Sequence, residues 1–169
     1  MLYDVGCSFV ICGHSERRQI LGESDEFVAR KVKAVLENDM IPILCVGETE
    51  EERKEGQTEE RIGSEIRTAL FALSKEEIAK MVIAYEPIWA IGSGQAATPK
   101  DAEEIASFIR KTVKEAAGKK AADEVRILYG GSVNGDNISY FLKQKNIDGA
   151  LIGGASLKPD TMIDIYNKA

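Results

Sequence analysis

Histidine occurs once in these 169 residues, as His14, and so does tryptophan, as Trp89. A lone histidine excludes a multi-histidine metal centre, and the three cysteines include no Cys-x-x-Cys pair. With an odd count, each beside an apolar run, Cys7, Cys12 and Cys45 read as buried free thiols of a reducing compartment. No apolar run exceeds strand length, so neither a signal peptide nor a membrane span is expected, and the expected location is cytoplasmic. Lys and Arg number 22 against 28 Asp and Glu, a net charge of −6 with no basic run. That balance argues against nucleic-acid partners. It does not exclude an anionic substrate, because main-chain N–H groups can make a site locally positive. A Gly-x-Ser-x-Gly elbow, a strand-ending lysine for Schiff-base chemistry and a nucleotide-type glycine loop are all missing.

What is present is a repeated alternation. Five short apolar runs, at 8–12, 42–46, 81–85, 125–129 and 149–152, read as strands, most of them continuous in the way of strands covered on both faces. Helical spacing lies between them. Val28, Val32, Val35 and Leu36 share one face, as do Ile62, Ile66, Ala69, Leu70 and Leu73, and then Ile105, Ile109 and Val113. Shorter patterns follow at Ile138, Phe141 and Leu142, and at Met162, Ile165 and Tyr166. Ser24 before Asp25 and Glu26, and Thr98 before Pro99, are helix starts. Residues 118–123 (GKKAAD) read as a turn. The alternation predicts an α/β fold on a parallel sheet, in one domain without a linker.

Each strand is followed by glycine or a polar residue. Gly13-His14-Ser15-Glu16 follows the first, Gly47-Glu48 the second, Glu86 the third, Gly130-Gly131-Ser132 the fourth and Gly153-Gly154 the last. The C-terminal edge of a parallel sheet is where such folds bind ligands. Glu86, at the end of a buried strand, is either a general base with a raised pKa or a structural carboxylate paired with Arg126 or Arg17. His14 either caps the turn after it or, neutral at a helix start, donates a hydrogen bond to a ligand. The two glycine pairs are anion cradles or tight turns, and a short helix after Gly154 would direct free N–H groups at a phosphate. Pro87, Ile88, Trp89, Ala90, Ile91, Gly92, Ser93 and Gly94 form a lid over the candidate base or an ordinary loop.

The segments GHSERR (13–18), AYEPIWAIGSG (84–94), YGGSV (129–133) and IGGASLKP (152–159) together resemble the triosephosphate isomerase family, in its order and along essentially the whole chain. That family is a standard illustration of acid–base tuning. The resemblance implies a (β/α)8 barrel fold, here as one partial-barrel domain over 1–169 with about five parallel strands, from the fourth βα unit onward. It implies interconversion of glyceraldehyde 3-phosphate and dihydroxyacetone phosphate through an enediolate, in glycolysis and gluconeogenesis. No cofactor or metal is implied, and neither a nucleic-acid nor a membrane partner. Glu86 becomes the base, His14 the neutral electrophile and Glu16 the acid accompanying it. Gly92, Ser132, Gly153 and Gly154 become phosphate contacts. Tyr129 and Ser132 would latch the closed lid, and Glu48 would hold Trp89 in the open one. Family members are homodimers.

Two departures bear on activity. The trailing hinge reads Gln95-Ala96-Ala97 in place of a Lys-Thr-Ala-like triplet, a small change where torsional freedom matters most. The family's Asn-x-Lys motif, whose lysine contacts substrate, does not occur in the 169 residues, nor does the loop that docks into the other subunit. The expectation is therefore a strongly reduced turnover, or a non-catalytic assembly unit needing a complementary segment, with unpaired first and last strands.

Overall fold

The computed structural model describes residues 1–91 and 97–169. Strands β1 (Phe9–Cys12), β2 (Ile41–Val46), β3 (Val82–Tyr85), β4 (Arg126–Tyr129) and β5 (Gly149–Ala150) form one sheet in sequence order, all parallel. Helices α1 (Ser15–Leu21) and α2 (Asp25–Leu36) follow β1, and α3 (Glu50–Lys54), α4 (Thr58–Leu70) and α5 (Lys75–Lys80) follow β2. Then α6 (Pro99–Ala117) and α7 (Lys119–Glu124) precede β4, α8 (Ile138–Leu142) precedes β5, and α9 (Pro159–Lys168) comes last. The fold is an open five-stranded parallel sheet alternating with helices, a partial α/β barrel.

Local signals explain most boundaries. The Ser24 hydroxyl accepts from the Phe27 N–H and starts α2, with Asp25 and Glu26 favourable at the positive end of the helix. Thr98 and Asp101 cap each other at the start of α6, and Pro99 supplies a preset φ. The predicted faces point inward: Val28, Val32, Ile62, Ile66, Ile109 and Val113 are buried in one core with Leu44, Ile83 and Ile127 of the strands. Leu36, Leu73 and Leu142 are only half-buried at its margin.

Four expectations change. Residues 118–123 are mostly helix, because Ala121 and Ala122 bury against the core and α6, an anchorage that local composition does not display. Of the Met162, Ile165 and Tyr166 pattern, only Ile165 is buried; Tyr166 is 78% exposed because α9 packs chiefly on α8 and the turn at 154–157. The last strand is two residues long, although the Leu151 N–H still donates to the Tyr129 carbonyl at 2.9 Å. Coverage on both faces holds fully for β3, but β1 pairs with β2 alone and leaves Phe9 and Ile11 48% and 47% exposed. Among the described residues the outer edges of the first and last strands have no partner, as expected. The cysteines are free thiols, Cys12 and Cys45 buried and Cys7 half-buried. Among the described residues no helix is long and apolar enough to cross a membrane.

The register sets the site. Cys12 is level with Leu44, while Val46, Tyr85, Tyr129 and Ala150 align at the far end of the sheet. His14 lies two residues past the last β1–β2 pair and Glu86 one residue past Tyr85, at the same end of the sheet. Two side chains 72 positions apart in sequence therefore share one rim.

Candidate active site

At that rim the His14 Nε2 lies 2.9 Å from Glu86 Oε1, and the Ser15 main-chain N–H donates to Glu86 Oε2 at 3.0 Å. His14 is also the N-cap of α1, its Nδ1 accepting from the Glu16 N–H at 3.4 Å. An accepting Nδ1 carries no proton, so the neutral ring holds its proton on Nε2 and points it at the carboxylate. The capping reading of His14 is realised on Nδ1, and Nε2 faces Glu86. Neither proposed arginine pairs with Glu86: Arg126 is exposed, and Arg17 donates to Glu23 at 2.7 Å.

Glu86 is 2% exposed. Burial raises its carboxyl above the ordinary 4.5, against the opposing pull of the His14 ring, the Ser15 N–H, the Cys45 thiol and Arg18. A carboxylate held out of water is a stronger base than one in it.

A cleft of about 470 Å³ opens over this pair. It brings together His14, Glu16, Glu86, Ile91, Ser132, Gly153 and Gly154, which the sequence distributes over four strand ends. Glu16, Ser132, Gly153 and Gly154 are exposed along its wall, and a single 3₁₀ turn, Gly154–Leu157, starts at Gly154. Gly131 has to be glycine: a Cβ there would lie 2.2 Å from the Tyr129 hydroxyl oxygen and 3.0 Å from Pro87.

The loop after Glu86 starts with buried Pro87, runs through a 3₁₀ turn (Ile88–Ala90) and reaches Ile91 at the cleft edge. Trp89 Nε1 donates to Glu48 Oε1 at 2.9 Å, as the resemblance implied, and the Arg53 guanidinium lies over the indole at 4.5 Å. Glu48, fully buried, also accepts from Arg53 and from the Tyr85 hydroxyl, each at 3.1 Å. Gly92, Ser93, Gly94, Gln95 and Ala96 lie outside the described residues. Burial pushes the Tyr129 hydroxyl up to about 12, against the opposing hydrogen bond with the Ala97 main chain; its ring stacks on Phe141 at 4.0 Å.

The family profile described as triosephosphate isomerase matches residues 1–169. The chain belongs to the triosephosphate isomerase family. The triosephosphate isomerase of Roseiflexus sp. (strain RS-1) is 53% identical over 167 residues, 99% of this chain and 66% of the relative. That of Dictyoglomus turgidum is 52% identical over 165 residues, 98% of this chain and 66% of the relative. For Chloroflexus aurantiacus the figures are 51%, 99% and 67%. The chain thus spans 66% of the length of the first relatives it matches, aligning with the C-terminal part of triosephosphate isomerase.

Sequence reading missed one group at this rim. Glu65 of α4 is 1% exposed and accepts the Gly47 N–H at 2.9 Å. The signal was there: Ile62, Glu65, Ile66 and Ala69 follow the i, i+3, i+4, i+7 spacing, so a carboxylate occupies the apolar face. Burial pushes the Glu65 carboxyl from 4.5 up to about 7, outweighing the attraction of Arg18 and Arg61. The folded value lies above the unfolded one, so the fold is favoured with the proton on. This contribution is present in full below pH 4.5 and is lost as pH rises to about 7, for about 3 kcal/mol in all. Glu65→Gln removes that dependence. Urea unfolding at pH 5 and pH 8 is expected to show the variant gaining about 2–3 kcal/mol on the unaltered chain across that interval. Parallel pH profiles would refute the assignment.

Proposed function

We propose that this chain carries the proton-transfer machinery of an aldose–ketose isomerase, interconverting glyceraldehyde 3-phosphate and dihydroxyacetone phosphate. The observation that carries the reading is the contact between His14 Nε2 and Glu86 Oε1, 2.9 Å apart beneath a cleft walled by glycine pairs. A substrate carbonyl entering there would exchange the Glu86 carboxylate for its own oxygen as the acceptor of the Nε2–H. Glu86 takes a proton from the carbon beside that carbonyl, and the electron pair left behind forms the enediolate. The imidazole holds the oxygen on which negative charge develops. The Nε2 proton passes to that oxygen and the imidazole takes in exchange the hydroxyl proton of the neighbouring oxygen, while Glu86 returns its proton to the neighbouring carbon, and the isomer leaves.

Main-chain groups at Gly131–Ser132 and Gly153–Gly154, with Gly92 of the lid, suit a phosphate. Glu16 supports the imidazole from beside Nδ1. Closure of 87–94 would exclude water and suppress loss of phosphate from the enediolate. Tyr129 and Ser132 fit a latch for the closed lid, and Glu48 fits a holder of Trp89 in the open one. The same reading makes the chain one partial-barrel domain, cytoplasmic, and homodimeric with its family.

A specific observation favours a second reading, an assembly unit that needs a complementary segment. Strands β1 and β5 each have one neighbour, and no lysine lines the cleft among the described residues. Isomerisation by the purified chain, with Glu86→Gln as contamination control, separates the two. The expected rate is at least ~10³-fold below that of a full-length relative, from one missing electrostatic contact. A rate matching the relative would defeat the argument from the lysine; a rate no higher than the control's would leave the assembly unit.

A further inference from the structure

Behind the cleft lies a cluster of charged side chains, none of which lines it. Arg18 of α1, with a side chain 9% exposed, faces Glu65 of α4, 1% exposed, at 3.6 Å. Asp25 of α2 accepts from Arg18 at 2.5 Å and from Arg61 at 3.2 Å, and Arg61 reaches Glu65 at 2.8 Å. The cluster's remaining hydrogen bonds go to main chain at the rim. Arg18 Nε donates to the Gly13 carbonyl at 2.7 Å, and its Nη2 to the Cys45 carbonyl at 3.3 Å. Glu65 accepts from the Gly47 N–H at 2.9 Å.

These three main-chain groups sit around the residues that matter. Gly13 directly precedes His14. Gly47 packs against Glu86 so closely that a Cβ on it would lie 1.8 Å from the Glu86 carbonyl oxygen. Cys45 is level with Ala84, two residues before Glu86. Between β1 and β2 the paired register ends at Cys12 and Leu44, so beyond it the chain needs other partners for its buried polar groups.

We infer that the buried Arg18–Glu65 pair is a positioning device, in which Arg18 holds the main chain carrying His14, Glu65 holds the main chain abutting Glu86, and their contact sets the distance between imidazole and carboxylate. The inference rests on the reading of His14 and Glu86 as the reacting groups. Stability alone is a poor reason for the pair, because removing two charges from water commonly outweighs their attraction, and apolar replacements are often neutral or stabilising. Burial indeed raises the Glu65 carboxyl in spite of two neighbouring arginines. Geometry is the better reason: a guanidinium fork can span two carbonyls at once, and reacting groups misplaced by about 1 Å lose roughly 100-fold in rate.

The test uses the single histidine, whose imidazole nitrogens give one unambiguous set of nitrogen-15 resonances. In the unaltered chain those resonances should report Nδ1 bare and Nε2 protonated. The double variant Arg18→Met with Glu65→Leu removes both charges together. It is expected to melt near the unaltered chain, to show averaged imidazole tautomers, and to lose roughly 100-fold in kcat with little change in KM. Unaltered imidazole resonances and kcat in a folded double variant would overturn the proposal and leave the pair purely structural. Should that variant not fold, Arg18→Lys keeps the charge without the fork, and the same two readings decide. The imidazole reading needs no turnover. If the unaltered chain proves inactive, the proposed isomerisation fails on its own, while the tautomers still judge the pair.

Discussion

Glu86→Gln is expected to lower isomerisation of glyceraldehyde 3-phosphate by roughly 10²–10⁴-fold, the range set by loss of a positioned general base. The amide is nearly isosteric, and its oxygen can still accept from the Ser15 N–H that now bonds Oε2 at 3.0 Å. What it loses is basicity and the acceptor that now faces His14 Nε2, so the rate should fall in kcat while KM changes little. Stability should move the other way. Burial raises the Glu86 carboxyl, so its ionised form weighs against the fold as pH climbs past the raised value, and a neutral amide does not. The variant should therefore melt no lower than the unaltered chain at pH 8. Steady-state kinetics with thermal melts at that pH check both halves. Undiminished turnover would remove Glu86 from the role of base.

Gly47→Ala is expected to destabilise the chain by about 3 kcal/mol, the upper end for forcing extra atoms into a packed site. The added methyl would stand 1.8 Å from the Glu86 carbonyl oxygen and 2.8 Å from its carbon. Both are main-chain atoms and no rotamer relieves the clash, so β2 and β3 must part at the point where the base is mounted. Activity should fall roughly 100-fold in whatever fraction remains folded, since the carboxylate moves with its backbone. Gly153→Ala makes a stability control, because nothing lies within 4 Å of the Cβ it would add. Urea unfolding of both variants distinguishes the two sites. Equal losses would show that the contact with Glu86 is not what requires glycine at position 47.

The sequence by itself determined where the strands and the main helical faces lie, and which residues stand at the strand ends. Those signals act over one to four positions: apolar spacing in α2, α4 and α6, the Ser24 and Thr98 caps, and a glycine or polar residue after each strand. His14, Glu16, Glu86, Ser132, Gly153 and Gly154 were legible for the same reason, and one cleft gathers them. Only the tertiary structure decided who pairs with whom. Glu86 meets His14 and Ser15 rather than Arg126 or Arg17, Arg18 spans two strand ends to face Glu65, and 119–124 closes into a helix because Ala121 and Ala122 find a core to enter. Partners like these come from distant parts of the chain, 71 positions apart for Ser15 and Glu86, and strand register brings them together. A hydrogen bond or a buried ion pair acts over about 3–4 Å in space, and nothing in local spacing encodes which residues will come that close.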